Sequence, residues 1–341
     1  MAESADAEAS KVFTRKGVWV QVPLRARCYR KKMSDQGSLE FRDDVVALFP
    51  GQGSLSGAAG VEWQSPRFWE ILARVSDAAR LDVAAILISA SDEEVVRTDR
   101  AQIATFALSI VGYYDLVERG IRPRYLLGHS LGEFSALVAS GLMSIEDGAR
   151  LIGVRGSAMA RAAAATEGSM VALMGGDDGA RDALDGLYGV WVANVNGPGQ
   201  IVVSGTRAGL DDLLARHKEL GWRRATPLPV GGAFHSPLMA PAQDELDKAL
   251  TSVEWGTTDA VLISNVDATV HASSDEWRDL LSRQLTSPVQ FFDATLALPD
   301  TVTTTIEMPP SGVLTGLTKR IRTFERQFAP ATLSDLEAIE L

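Results

Sequence analysis

Short apolar runs alternate with helix-periodic segments through most of the chain. Residues 45–49 (VVALF) form an apolar run bounded by a Gly- and Pro-rich turn, which predicts a buried first strand. Residues 66–120 carry apolar side chains at helical spacing, and a second apolar run follows at residues 125–127. This alternation of helices and short strands predicts an α/β fold with a parallel sheet. We expect the folded body to begin at Asp44.

The second apolar run leads into the pattern around which the chain is organised. Gly128, Ser130 and Gly132 form a G-x-S-x-G motif, and residues 131–140 (LGEFSALVAS) have helical composition without proline. Strand, glycine-flanked serine and helix together predict a nucleophile elbow, where side chains larger than glycine beside the serine would clash. The alternative is a Gly-rich strand-to-helix turn with an incidental serine.

A long helix is predicted to start from the N-cap Ser144, and it carries an arginine among the apolar residues of its buried face. Leu151, Ile152 and Met159 form its apolar stripe, and Arg155 falls on that same stripe. Arginine is almost never fully buried unless it is paired. Arg155 therefore needs an anion, from the protein or from a ligand, unless its side chain reaches the surface instead.

The pattern changes beyond residue 167, where short strands and helices succeed each other in the order βαββαβ. That order predicts a ferredoxin-like unit inserted in the larger domain, with a cleft between the two. The strands are predicted at 169–173, 190–195, 200–204 and 225–230, and the helices at 180–187 and 210–220.

These elements divide the chain into a core of residues 43–166 and 232–330 and a small subdomain of residues 167–231. Within the second part of the core we predict strands at 261–265 and 303–306, the latter being the last strand, and a basic terminal helix at 314–328. Residues 331–341 are predicted to be a C-terminal tail, and residues 1–42 a poorly ordered extension.

Composition excludes several classes of function. The chain has 341 residues, is 46% hydrophobic and 23% charged, and contains no apolar run long enough for a membrane span. The single cysteine, Cys28, excludes an internal disulfide, a Cys-rich zinc site and an iron–sulfur cluster, and it fits a reducing compartment, so we expect a cytoplasmic protein. The net charge of −11 argues against a nucleic-acid binder.

The N-terminal extension differs in charge from the body. Residues 1–10 carry three acids, whereas residues 11–32 carry eight basic residues and no acid. This segment lacks the apolar core of a secretory signal. A mitochondrial-type leader is a weaker alternative because of the early acids, and Met33 leaves open a translation start further in.

A serine nucleophile needs a general base, and the chain has only four histidines. His129 adjoins Ser130 and would diverge from it on a sharp turn, while His217 and His271 lie in polar segments. His235 remains, in a small-residue turn where the chain re-enters the core. No acid stands out as a third member, so we expect a dyad oriented by a carbonyl, with Gln284 and Asn265 both open as its source.

Seven segments then carry a resemblance to a known family. The chain resembles malonyl-CoA:acyl-carrier-protein transacylases, including discrete and embedded acyltransferases of polyketide synthesis, over about residues 44–328. The segments appear in family order: FPGQGS at 49–54, GHSLGEFSALVASG at 128–141, the Arg155 helix, NGPGQIVVSG at 196–205, AFHSPLM at 233–239, RQLTSPVQF at 283–291 and VLTGLTKR at 313–320. The resemblance implies an α/β-hydrolase-like core with an inserted ferredoxin-like subdomain.

The resemblance also implies roles for individual residues. Ser130 would be the acylated nucleophile and His235 its base, with the carbonyl of Gln284 orienting the imidazole. Arg155 would bind the free carboxylate of malonate. The backbone N–H groups of Gln52 and Leu131 would form the oxyanion hole, and His129 and Asn194 would line the site. In this family a phenylalanine at the position of Phe234 is found in enzymes that prefer malonyl groups.

The implied reaction is a ping-pong transfer of malonyl from malonyl-CoA to the phosphopantetheine thiol of an acyl carrier protein. It needs no metal or redox cofactor, and CoA enters only as the thioester substrate. The alternatives are an editing hydrolase of the same fold, which would not use Arg155, and a non-catalytic docking module. Because carrier proteins are usually acidic, we expect a basic docking patch at Arg223–Arg224 or on the Lys319–Arg326 helix.

One departure from the family pattern is plain. Where the family usually has Gly-Pro-Gly after its last strand, this chain has Pro309, Pro310 and Ser311. The shape of that loop is therefore in question, while the catalytic set is unaffected.

Overall fold

The computed structural model describes residues 11–13, 19–21, 39–53 and 55–341. Most of the predicted extension, residues 1–42, lies outside the described residues, and so does Cys28. The predicted boundary is too late, because the first strand of the core begins at Arg42 and Arg122 donates to the Leu39 carbonyl at 3.1 Å. Two short segments of the extension, β1 (Lys11–Phe13) and β2 (Trp19–Gln21), pair as antiparallel strands.

A five-stranded parallel sheet forms the centre of the molecule. Its strand order is β11-β10-β3-β4-β9, and every neighbouring pair is parallel. Residues 45–49 of the central strand have no exposed surface, as expected for a parallel sheet covered on both faces. The predicted α/β fold with a parallel sheet is thereby confirmed. The strands are β3 (Arg42–Phe49), β4 (Pro123–Gly128), β9 (Val261–Leu262), β10 (Thr304–Glu307) and β11 (Arg326–Phe328).

Helices cover this sheet. The helix α4 (Thr98–Glu118) is buried along residues 101–117, which indicates a central position rather than a surface one. Gly112 of α4 meets Pro309 so closely that a Cβ there would lie 2.3 Å from the proline Cδ. The other helices are α1 (Pro66–Ala79), α2 (Val83–Ser89), α3 (Asp92–Val95), α5 (Leu131–Ser140), α6 (Ile145–Ala165), α9 (Ala240–Leu250), α10 (Ser274–Gln284), α11 (Phe291–Leu296), α12 (Val313–Ile321) and α13 (Leu333–Glu337). Among the described residues, none of the helices is both long and apolar enough to cross a membrane.

The inserted unit forms a second sheet of four antiparallel strands in the order β6-β7-β5-β8. The succession βαββαβ agrees with the predicted ferredoxin-like pattern. The helix predicted at 180–187 is shorter in the structure, ending at Asp182, and the chain continues in turns to residue 189. The elements are β5 (Gly168–Met174), α7 (Asp178–Asp182), β6 (Val190–Gly197), β7 (Gln200–Thr206), α8 (Arg207–Arg216) and β8 (Arg224–Pro227).

Two backbone hydrogen bonds join the second sheet to the core. The Val195 N–H donates to the Val289 carbonyl, and the Val289 N–H donates to the Ala193 carbonyl, both at 2.8 Å. The edge strand β6 is therefore bound to the segment that follows α10.

The predicted basic helix at 314–328 is wrong in its second half. The helix α12 ends at Ile321, and residues 326–328 form β11 at the edge of the central sheet. Arg322 ends the helix in an extended conformation and donates to the Leu298 and Val302 carbonyls, while the Phe324 side chain is buried. Thus the strand at 304–307 is not the last one.

The segment predicted as a tail, residues 331–341, carries the helix α13. Leu336 of this helix is fully buried, and the Trp63 indole N–H donates to the Ala331 carbonyl at 3.1 Å.

The loop that departs from the family pattern, at residues 309–311, is held by two hydrogen bonds. Ser109 donates to the Pro309 carbonyl at 2.7 Å, and Ser311 donates to the Pro330 carbonyl at 2.6 Å.

Candidate active site

The nucleophile elbow lies where β4 ends and α5 begins. Ser130 has φ 53° and ψ −108°, a conformation that non-glycine residues rarely adopt. A Cβ on Gly132 would lie 1.9 Å from the Phe49 carbonyl oxygen, and one on Gly128 would lie 2.1 Å from the Glu133 backbone nitrogen. The motif glycines are therefore required by close backbone approach, and the strained turn presents the serine side chain.

Ser130 and His235 lie in hydrogen-bond contact. The distance from Ser130 Oγ to His235 Nε2 is 2.7 Å, and His235 Nδ1 lies 2.9 Å from the backbone carbonyl of Gln284. Because a carbonyl only accepts, Nδ1 carries the hydrogen and Nε2 is left as the acceptor facing the serine. Burial, reinforced by the nearby Arg155, lowers the pKa of His235 to about 3, so the ring is neutral at ordinary pH.

Arg155 is almost completely buried beside the serine, with 1% of its surface exposed. One terminal nitrogen donates to Ser130 Oγ and to the Gln284 side-chain oxygen, each at 3.0 Å, and the other donates to Gln102 at 2.7 Å. Among the described residues no carboxylate oxygen lies within 4.0 Å of the guanidinium, and Nε has no hydrogen-bond partner. Although burial lowers its pKa to about 9, the group remains a cation at neutral pH.

Glu133 is a site residue that the sequence analysis missed. Its carboxylate, in the first turn of α5, accepts the Gln284 side-chain N–H and the Asn265 backbone N–H, each at 2.6 Å. Burial raises the pKa of Glu133 to about 7. The available signal was an acid three residues after Ser130 in an otherwise apolar helix start.

Asn265, one of the two candidates for orienting His235, contacts the elbow instead. Its side-chain oxygen accepts the Ser130 backbone N–H at 2.6 Å, and its side-chain nitrogen donates to the Gly128 carbonyl at 2.8 Å. The carbonyl beside His235 belongs to Gln284.

His129 points away from Ser130 toward the second sheet, where its Nε2 lies 2.9 Å from the side-chain oxygen of Asn196. The sequence analysis missed Asn196 and named Asn194, two residues earlier on β6. The side-chain oxygen of Asn194 is buried and has no hydrogen-bond partner among the described residues. The subdomain therefore contacts the elbow through Asn196.

The remaining predicted residues surround this group. Gln52 follows β3, and its side-chain oxygen accepts from Gln102 at 3.1 Å. Leu131 opens α5, so its N–H has no acceptor within the helix. Phe234 is buried, and its carbonyl accepts from the Ser204 hydroxyl.

The other two histidines lie outside the site. His217 contacts the Leu214 carbonyl in the second unit, and His271 pairs with Asp267 on an exposed turn. No group of three or more metal-ligating side chains occurs in the part of the chain that the structure describes.

A cavity of about 600 Å³ lies beside the Arg155 helix. Its lining includes Thr98 at the start of α4, Ser157 and Ala160 of α6, and Gly231 in the segment that leads to His235.

Comparison with known proteins gives a consistent set of relatives. The family described as acyl transferase domain matches residues 46–334. A malonyl CoA-acyl carrier protein transacylase of Bacillus subtilis (strain 168) is 37% identical over 305 residues, which are 87% of this chain and 95% of that protein.

Solved structures agree. The malonyl-CoA:acyl carrier protein transacylase of Xanthomonas oryzae pv. oryzae superposes with a TM-score of 0.80 at 36% identity, over 87% of this chain and 98% of that one. A malonyl-transacylase in complex with its type II PKS acyl-carrier protein superposes with a TM-score of 0.80 at 31% identity, over 86% and 98%.

Proposed function

The chain belongs to the acyl transferase domain family, among the malonyl CoA-acyl carrier protein transacylases, and from that premise we propose that it transfers malonyl from malonyl-CoA to an acyl carrier protein. The observation that carries this proposal is the buried Arg155 cation, 3.0 Å from Ser130 Oγ and without a carboxylate partner among the described residues. A free carboxylate on the acyl group would supply the missing anion.

In the first half-reaction, Ser130 Oγ attacks the thioester carbonyl carbon while His235 Nε2 takes the hydroxyl proton. The backbone N–H groups of Gln52 and Leu131 are the proposed donors to the resulting oxyanion, and each such donor contributes about 2.7–4 kcal/mol in comparable sites. The carbon–sulfur bond then breaks, the proton moves from His235 to the CoA sulfur, and malonyl-Ser130 remains.

The second half-reaction reverses these roles. The phosphopantetheine thiol of the carrier attacks the ester carbonyl, and His235 accepts the thiol proton. The bond to Ser130 Oγ breaks, and the proton returns to that oxygen.

Water must be kept off the ester between the two half-reactions. We propose that residues 167–231 serve this purpose as a cover over the core of residues 43–166 and 232–330.

Acyl selection is assigned to two side chains. Arg155 would bind the malonate carboxylate, while the bulk of Phe234 beside His235 would disfavour a methyl branch on the acyl chain. The editing hydrolase and the docking module both lack a use for a buried cation at the nucleophile, so Arg155 counts against them.

The carrier would dock on one basic patch, which unites the two candidates from the sequence. We define it as Arg223, Arg224, Lys319 and Arg320. All four are exposed, and none lies within 4.0 Å of a described acid. Arg320 donates to Gln200, the first residue of β7, and Arg223 packs by Gly175, which is bonded to Gly199 in the β6–β7 turn. We further propose a cytoplasmic location, supported by the single cysteine and the CoA thioester substrate.

The test is the intact mass of the protein after incubation with malonyl-CoA, methylmalonyl-CoA and acetyl-CoA in parallel. We expect a malonyl adduct that Ser130→Ala abolishes and that Arg155→Ala reduces by at least about tenfold, because a hydrogen-bonded charge pair is lost. Absence of an adduct, with hydrolysis of acyl-carrier thioesters to free acid, would favour the editing hydrolase.

A further inference from the structure

A buried carboxylate lies behind the reacting groups without touching them. Glu133 is 1% exposed, and its two oxygens each accept one neutral N–H, from the Asn265 backbone and from the Gln284 side chain. Among the described residues no cationic nitrogen lies within 4.0 Å of it. Burying an acid costs free energy unless its oxygens are satisfied, so this placement calls for a reason beyond packing.

The Gln284 amide connects this carboxylate to Arg155. Its nitrogen donates to Glu133 at 2.6 Å and to the Ser130 carbonyl at 2.9 Å, while its oxygen accepts from Arg155 at 3.0 Å. An ionised carboxylate only accepts hydrogen bonds, so it requires the amide nitrogen on its own side. The amide oxygen must then face the guanidinium. With the amide reversed, an NH₂ group and the guanidinium would oppose each other as two donors.

We propose that Glu133 is a positioning residue for acyl selection: by fixing the orientation of the Gln284 amide, it holds the Arg155 guanidinium against Ser130. The negative charge also favours the protonated form of Arg155, in keeping with its effect of raising the Arg155 pKa. This inference rests on the proposed function, because it assigns to Glu133 a part in recognising the malonyl carboxylate.

Glu133→Gln isolates the effect. The new side chain keeps an oxygen for the Asn265 N–H but presents an NH₂ group to the Gln284 nitrogen. Two donors then oppose each other, which drives the Gln284 amide to turn or shift away from Arg155 against its bond to the Ser130 carbonyl. We expect the ratio of kcat/KM for malonyl-CoA over acetyl-CoA to fall by at least about tenfold, measured as Ser130 acylation at about pH 8, above the Glu133 pKa of about 7.

A double-mutant cycle separates positioning from a general structural role. In an Arg155→Ala background, Glu133→Gln should leave the malonyl-to-acetyl ratio unchanged. The matched control is Glu307→Gln, since Glu307 is also fully buried and accepts two N–H groups, from Leu314 and Thr315, at 2.9 and 2.8 Å. The control should keep the wild-type ratio.

Two outcomes overturn the inference: an unchanged ratio, whether or not both activities fall, or an additive effect with Arg155→Ala. If Glu133→Gln does not fold, Gln284→Met removes the amide but keeps the backbone carbonyl at His235, and it should lower the ratio to the same extent. A wild-type protein that takes no malonyl would instead refute the proposed function.

Discussion

At the scale of single residues, the state of His235 depends on its neighbours. Burial is the main cause of its lowered pKa, and the Arg155 cation is the second. In the proposed reaction, a malonyl carboxylate bound to Arg155 cancels the second cause. Binding of the correct acyl group would therefore strengthen the base that activates Ser130.

The pKa of His235 is directly testable. We expect its imidazole to remain neutral from pH 8 down to about pH 5. The measurement is the pH dependence of the imidazole nitrogen chemical shifts in NMR. In Arg155→Ala the midpoint should move upward, toward the ordinary value of 6.5, because a nearby positive charge is removed. A wild-type midpoint near 6.5 would show that burial and Arg155 do not lower the pKa of His235.

Residues with a local pattern were predictable from the sequence, and those defined by distant contacts were not. Ser130 stands in a spaced glycine motif, and Arg155 stands on an apolar stripe. Glu133 is identified as a site residue only by its contacts with Asn265 and Gln284, which lie 132 and 151 residues further along the chain. Asn196 likewise belongs to the site only through its contact with His129 across two sheets.

At the scale of elements, the elbow depends on two backbones in near contact. We expect Gly132→Ala to abolish acylation and to lower the free energy of unfolding by more than about 4 kcal/mol, because the new methyl group would overlap the Phe49 carbonyl. Urea unfolding and the malonyl adduct measure the two effects.

The control is Gly316→Ala in α12, where a Cβ would meet no heavy atom within 4 Å. It should stabilise the protein by about 0.5–1 kcal/mol and leave acylation intact. A Gly132→Ala protein of near wild-type stability would show that the turn relaxes easily.

The end of the chain shows where element prediction fails. Residues 314–328 have helical spacing and many basic side chains, so one long helix was the natural expectation. The outcome depends on the edge of β10 that faces away from β3. Residues 304–306 pair there with residues 326–328. Sequence periodicity contains no information about an unpaired edge, and tertiary pairing overrides local preference.

At the scale of the whole molecule, the two larger sheets and the order of their strands along the chain, apart from β11, were predictable, since hydrophobic periodicity distinguishes strands from helices. How the sheets meet was not predictable. The paired hydrogen bonds between β6 and Val289 join the second sheet to the segment that follows α10. The subdomain therefore cannot open along this edge without breaking those bonds, so any opening would occur elsewhere.

The basic patch gives the prediction that belongs to this scale. Reversing the charge of Arg223, Arg224 and Arg320 to glutamate should slow malonyl transfer to the carrier by at least about tenfold at low salt. The rate of self-acylation from malonyl-CoA should stay within about twofold of wild type, because charged residues at the rim of an interface act mainly on the rate of association with the carrier. Stopped-flow acylation and carrier transfer measure the two steps.

The control for this set is Arg278→Glu, an exposed arginine on α10 that pairs with Asp275. It should affect neither step. If the patch variant loses both steps together, the patch is not a docking surface.

The wide spacing of the site residues has a consequence for the newly made chain. The bond between Gln284 and Ser130 spans 154 residues, and the one between His235 and Ser130 spans 105. Contacts of such sequence separation form late in folding, because their long loops must close first. A chain still emerging from the ribosome, lacking Gln284, would hold the serine without its oriented base. The proposed acylation therefore requires groups from both parts of the core, and a chain that stops before Gln284 lacks the carbonyl that orients His235.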